Sequence, residues 1–281
     1  MSDRGLVIAL VLLAAVLHAS WNAVTKRSSD PLLAMWLVTL SAGLAVLVLA
    51  PFASFPRQEA WPYLAASWVL HLAYQLFLVS AYRLGDLSQV YPIARGLGPC
   101  VVAALAAGFG GEAISGLQSA GLALTSASLA SLAFAGRGHS PLATRAVAVA
   151  AVTGLLIGSY TFIDAQGVRA CERPLDFIVW SIFLDALPIT AVVLVRRRGR
   201  LQAFLRSDGR NGVMAGILAV VAYGIVLWAM ATTPMASVAA LRETSVIFAA
   251  WIGTRLFGEP FGGLRLLAAA GVAAGVVLLQ I

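Results

Sequence analysis

Charge is what this chain has least of. Asp, Glu, Lys and Arg make up only 11% of its 281 residues, against 60% hydrophobic, which leaves too little polar surface for a soluble globule of this length. Cysteine is scarce too. Cys100 and Cys171 are the only two, which excludes a disulfide framework, and neither has metal-ligand spacing. No G-x-x-x-x-G-K-[ST] loop occurs, so no nucleotide-driven motor of that kind is encoded. The polar–apolar alternation of a membrane barrel strand, about ten residues long, is also missing. Basic residues outnumber acidic ones by 19 to 12, but they sit mostly at the ends of apolar runs rather than along one face, which argues against nucleic acid as a partner.

Long apolar runs are what the chain does contain. The hydrocarbon core of a bilayer is about 30 Å thick and a helix rises about 1.5 Å per residue, so a spanning helix takes about twenty apolar residues. Ten runs meet that length: 5–25, 31–52, 61–83, 87–109, 113–135, 144–168, 174–195, 212–233, 236–257 and 262–281. They predict an all-α polytopic membrane protein of about ten transmembrane helices, with the lipid bilayer as its solvent. The first run is expected to be retained rather than cleaved, because it is long, is followed by Lys26-Arg27 and has a later counterpart.

The rare residues recur. Laying 87–135 over 234–281 pairs Arg95 with Arg242, Gly111-Glu112 with Gly258-Glu259, and Gly116-Leu117 with Gly263-Leu264. Earlier in each half, His18, Asn22 and Pro31 pair loosely with Tyr160, Asp164 and Pro174. This predicts two five-helix repeats, residues 1–137 and 138–281. With an odd number of helices per repeat, the second must enter the membrane from the opposite side.

The segments His18-Ala19-Ser20-Trp21-Asn22, Tyr91-Pro92-Ile93-Ala94-Arg95 and Leu241-Arg242-Glu243-Thr244-Ser245, with Phe257-Gly258-Glu259 after them, resemble the EamA-like family of the drug/metabolite transporter superfamily over essentially the whole chain. The resemblance implies two inverted five-helix bundles around a central solute cavity, lined mainly by the first four helices of each. It implies a monomer, in a family whose members carry amino acids, other metabolites or drugs; a transporter rather than an enzyme, with no cofactor, is expected in the cytoplasmic membrane.

Charged side chains are costly at mid-membrane, so Arg95, Asp164, Asp185, Arg242 and Glu243 must face protein or water. Tyr91 and Arg95 lie four residues apart and share a helix face. Arg242 and Glu243 are adjacent and diverge by about 100°, so one is expected to face a cavity while the other pairs internally. Two readings of the arginines stand: a clamp for a carboxylate or phosphate, or ion pairs with Asp164, Asp185 or Glu243 that hold helices together. His18, Trp21 and Asn22 form a polar, aromatic strip on the first helix, and Tyr160 and Asp164 repeat its spacing on the sixth. His71 and Gln75 share a face of the third helix, and Tyr223 falls near the matching place on the eighth. The expected solute-lining set is His18, Trp21, Asn22, Gln75, Tyr91, Arg95, Tyr160, Asp164, Tyr223, Arg242 and Glu243. Catalytic and metal-ligating residues are expected to be absent. A coupling proton is the expected energy source, with Asp164, Glu243 and His18 as its candidate carriers.

Several secondary features carry expectations of their own. Pro92 and Pro99 are expected to kink the fourth helix. Glu112 and Glu259 are expected to stabilise the helices that follow them. Gly154/Gly158 and Gly271/Gly275 form G-x-x-x-G pairs suited to close helix contact within one chain or, less readily, in a homodimer. Orientation is contested: Arg4, Arg57, Arg169 and Arg173 fall on the side of the termini and thirteen basic residues on the other. The charge rule therefore puts the Arg196–Arg210 loop in the cytoplasm, whereas the resemblance puts both termini there. The functional expectation is a secondary transporter of a small polar metabolite, amino-acid-like or anionic. The alternatives are a multidrug or cationic-compound exporter, a membrane-embedded enzyme, or a non-transporting membrane partner.

Overall fold

A computed structural model of the chain describes residues 4–26, 28, 30–84, 87–134, 141–248 and 263–280. Among these residues there is no strand. The helices are α1 (Arg4–Lys26), α2 (Pro31–Val46), α3 (Trp61–Leu84), α4 (Leu87–Phe109), α5 (Gly116–Phe134), α6 (Pro141–Arg169), α7 (Pro174–Arg196), α8 (Leu201–Thr232) and α9 (Met235–Arg242). They are followed by α10, described over 245–248, and α11 (Gly263–Gln280). Among the described residues, six helical segments are long and apolar enough to cross a membrane, and Ile93–Phe109 and Leu267–Leu279 are shorter apolar helices.

Local chemistry sets the helix starts. Asp30 accepts the N–H groups of Leu32 and Leu33 at 3.1 and 3.4 Å, with Pro31 in the first turn, where a missing donor costs nothing. Pro174 begins α7 in the same way. Before α5, the Ser115 hydroxyl accepts from the Gln118 N–H at 3.2 Å while Gln118 Oε1 accepts from the Ser115 N–H at 3.0 Å, a reciprocal capping box. Gly111, with φ +67°, supplies the left-handed turn between α4 and α5.

Three expectations are corrected here. The eighth span, expected at 212–233, begins at Leu201, so most of the expected arginine-rich loop is helix. Phe204 explains the extension, because it is buried in an apolar cluster built from α2, α3 and α7 and anchors the added turns. The ninth span is not one helix: it stops at Arg242 and turns through Glu243 and Thr244 before helix resumes at 245. The Glu243 and Thr244 N–H groups donate three residues back, to the carbonyls of Ala240 and Leu241, and the Thr244 hydroxyl also donates to the Leu241 carbonyl, a competition that loosens a helix. Meanwhile α4 runs through Pro92 and Pro99 as one helix. The broken helix is therefore the one carrying Arg242, not the one carrying Arg95.

Glu112 is the third correction. Instead of serving α5, it accepts the Met235 N–H on both oxygens at 3.0 Å and so caps α9. Arg169 at the end of α6 binds Glu112 at 2.8 Å and the carbonyls of Met230 and Thr233 at 2.9 Å. One arginine thus ties α6, the α4–α5 turn, α8 and α9 together at the end that carries both termini. The Gly258-Glu259 turn lies outside the described residues.

Helices of the first half pack mainly on helices of the second. The most extensive contacts among the described residues include α4 with α6, α5 with α11, α3 with α6, α1 with α8, α2 with α8 and α2 with α7. Both G-x-x-x-G pairs face helices of the same chain. A Cβ on Gly154 would stand 2.8 Å from the Ala94 carbonyl oxygen of α4, and one on Gly275 2.6 Å from that of Gly121 in α5, so only hydrogen lets these backbones meet. Outward faces remain apolar, with Val48, Phe109 and Leu267 more than two-thirds exposed, as lipid contact requires.

Candidate functional site

The polar residues of six helices and of the α9 break converge inside the bundle. A cavity of ≈ 120 Å³ lies among α1, α2, α3, α6, α7, α8 and the end of α9. Its lining includes His18 and Trp21 from α1, Thr39 from α2, His71, Tyr74 and Gln75 from α3, Tyr160 from α6, Asp185 from α7, Tyr223 from α8, and Arg242. Two larger cavities, ≈ 370 and ≈ 380 Å³, open beside the α8–α9 turn near Arg169 and Arg4. They lie at the end of the bundle, whereas the central one gathers the buried ionisable groups.

Among the described residues, one wall sets two arginines around one glutamate. Glu243, fully buried, stands 2.9 Å from Arg95 Nε and 4.0 Å from Arg242 Nε. Arg95 also donates to the Ser245 hydroxyl at 3.4 Å. Both arginines are 4% exposed, so each needs the carboxylate. Of the three, only Arg242 lines the cavity; Arg95 and Glu243 stand behind it. His18 lies in the field of both arginines and makes an edge-on ring contact with Trp21.

The opposite character is built from α3, α6, α7 and α8. His71 Nδ1 stands 2.9 Å from Asp185 Oδ2, and His71 Nε2 stands 3.8 Å from Asp164 Oδ2. Tyr223 donates its hydroxyl to Asp164 at 2.5 Å, and Ser67 sits 3.2 Å from His71 Nδ1. Tyr160 stacks over the His71 ring at 4.0 Å, with Tyr223 edge-on to it. Gln75 donates to Thr39 at 3.5 Å across the α2–α3 boundary.

The structure therefore brings His18, Trp21, Gln75, Tyr160, Tyr223 and Arg242 to one cavity, and sets Arg95, Asp164 and Glu243 directly behind its walls. Asn22 is not in the lining. Its amide donates back to the His18 carbonyl at 2.8 Å on its own helix, the nearest acceptor open to a half-buried side chain. The side chain of Tyr91 lies outside the described residues. Asp185 and His71, absent from the expected set, turn out to be central. Their signal was present in the sequence: Asp185 is an ionisable group in the middle of an apolar run, and His71 precedes Gln75 by one helical turn.

Glu243 makes an internal ion pair with Arg95, while Arg242 borders the cavity. Among the described residues, no group of three or more His, Cys, Asp or Glu side chains is arranged to hold a metal ion.

The fold is similar to that of a protein of known crystal structure, with a TM-score of 0.75 at 16% identity, covering 98% of this chain and 96% of that one. No curated protein matches the chain. The model of the EamA-like transporter family matches residues 144–281, which take in α6, Asp164, Asp185, Tyr223, Arg242 and Glu243. Through those residues the chain belongs to the EamA-like transporter family, as a multi-pass helical membrane protein.

Proposed function

We propose that the chain carries a small amphoteric solute of the amino-acid class across the cytoplasmic membrane by alternating access. One observation carries the reading: a single cavity presents Arg242 from one charged cluster and Asp185 from another of opposite surplus. A carboxylate is matched by a guanidinium, which can donate two parallel hydrogen bonds, and an ammonium is matched by Asp185. The volume of ≈ 120 Å³ is well below the about 300–1,000 Å³ of drug-sized sites, which favours a small metabolite over a multidrug or cationic-compound exporter.

Residues 1–137 and 138–281 are read as two inverted repeats that rock about this cavity. The pairing of α1 with α8 and α3 with α6, and of α2 with α7 and α5 with α11, supports that reading, because it is unchanged when the first five spans are exchanged for the last five. The cavity is complete within one chain, which supports a monomer as the working unit, and a proton gradient is the proposed energy source.

The test is counterflow in proteoliposomes loaded with a mixture of the twenty standard amino acids, read by mass spectrometry. Uptake of one or a few is expected, with Arg242→Gln abolishing it while the protein still elutes as a folded species. Transport by Arg242→Gln at the native rate, or movement of lipophilic cations and no amino acid, would overturn the reading.

A further inference from the structure

His71 is held by carboxylates that come from the other half of the chain. It lies on α3, Asp164 on α6 and Asp185 on α7. The imidazole carries at most one positive charge, so with both carboxylates ionised the cluster keeps a negative surplus in a place that water barely enters: Asp164 is fully buried and the Asp185 side chain is 12% exposed. Tyr223 donates to Asp164 Oδ2, and Asp164 Oδ1 has no hydrogen-bond partner. A buried charge without compensation is unstable, and the cluster can shed it by taking one more proton.

The groups around His71 show which atom can take it. Asp164 and Tyr160 face it from α6, Asp185 from α7 and Tyr223 from α8. Helix α2 carries no titratable residue, and Ser67 and Tyr74 are the polar neighbours on α3 itself. Arg242 shares the cavity lining. Of the two carboxylates, Asp185 lines the cavity and Asp164 does not.

We infer that Asp185 is the proton-exchanging group of this chain, with His71 as its release partner and Asp164 as a fixed counter-charge held by Tyr223. A motion of the first half against the second that parts α3 from α7 draws His71 away from Asp185. The freed carboxylate then takes a proton from cavity water as a neutral O–H, and returns it when the His71 contact re-forms. No bond other than that O–H is made or broken, and no electron moves. The inference takes from the transport reading only that the two halves move, and it does not depend on which solute is carried. It replaces Glu243 and His18 as proton carriers, because the first is pinned by Arg95 and the second lies beside two cations.

The test needs no solute. Infrared difference spectra of the native protein in nanodiscs, between mildly alkaline and mildly acidic buffer, are expected to show the C=O stretch of a buried carboxylic acid. Asp185→Asn should remove that band, while His71→Gln should shift it. The half-buried Asp208→Asn, outside the His71 cluster, should leave it intact, and so should Arg242→Gln, the variant that breaks the solute reading. Persistence of the band in Asp185→Asn overturns the inference, as does its loss in Asp208→Asn. Spin labels at the exposed positions Ser80 and Leu194 test the mechanical link: their separation should change on acidification in the native background and stay fixed in Asp185→Asn. A separation that ignores acid in the native background overturns the link between proton and motion.

Discussion

Two arginines share one glutamate on one side of the cavity, and one histidine shares two aspartates on the other. The two clusters are alike in burial but opposite in surplus. They also differ in origin. Arg95 and Arg242 occupy matching places in the two halves, yet the residue after Arg95 is Gly96 and the residue after Arg242 is Glu243. A duplicated cation is therefore served by an unduplicated anion. That carboxylate is pinned from two sides, whereas Asp185 is held by one imidazole that can leave. The first cluster is suited to holding structure and charge in place, the second to exchanging them.

The largest effect should come from breaking the pinned cluster. Glu243→Gln removes the carboxylate that two buried arginines share, and removing one member of a buried pair costs about 3–5 kcal/mol. A steep fall in thermal stability in detergent is the expected result. Asp185→Asn, by contrast, removes part of a negative surplus and should cost clearly less in the same assay. Equal losses in the two variants would erase the distinction between the clusters.

Tyr223→Phe comes next. It removes the hydroxyl that donates to a fully buried carboxylate at 2.5 Å, and a hydrogen bond to a charged group contributes about 1.5–3 kcal/mol. Thermal unfolding should fall by that order, and the infrared carboxyl band should move, because Asp164 is then less firmly held. A stability loss without a spectral change would mean that Asp164 and Asp185 do not influence each other.

Gly158→Ala sharpens the comparison from the side of packing. A Cβ there would stand 2.8 Å from the Gly98 carbonyl oxygen and would also collide with the Val101 side chain, forcing α6 off α4. Overpacking of this kind costs about 1–3 kcal/mol. Because α4 carries Arg95 and α6 carries Asp164, the variant strains both clusters through their scaffold. Solute counterflow should weaken even though no lining residue has changed.

How much of this was readable beforehand follows from what each feature depends on. The positions of the apolar runs are set by bilayer thickness, a constraint that acts on each run alone, so run length sufficed. The break after Arg242 left no such mark: Ala239, Ala240 and Leu241 are good helix formers, and no glycine or proline announces the turn. The start of α8 was obscured because arginines read as loop, while the deciding contact, Phe204 against α2, lies far away in sequence. Glu112 was expected to serve the nearest helix and instead serves α9, more than a hundred residues on. In the site, residue types were legible from their cost in hydrocarbon. Which carboxylate met His71 was not, because α3 and α7 meet only in three dimensions.

The smallest effect should come from an ion pair of the same chemistry placed at the end of the bundle. Arg57 and Glu172 bridge the α2–α3 and α6–α7 connections, with side chains 62% and 68% exposed. Water already solvates both charges, so bringing them together gains little, and exposed pairs typically contribute about 0–1 kcal/mol. Arg57→Gln should therefore shift thermal unfolding only slightly. Whatever shift remains should vanish in concentrated salt, since screening at about 1 M acts over roughly 3 Å. The loss in Glu243→Gln should survive the same salt, because ions do not reach a carboxylate sealed between two helices. If salt erased both effects equally, the cavity would be far wetter than its packing implies, and the contrast between a pinned wall and an exchanging one would fail with it.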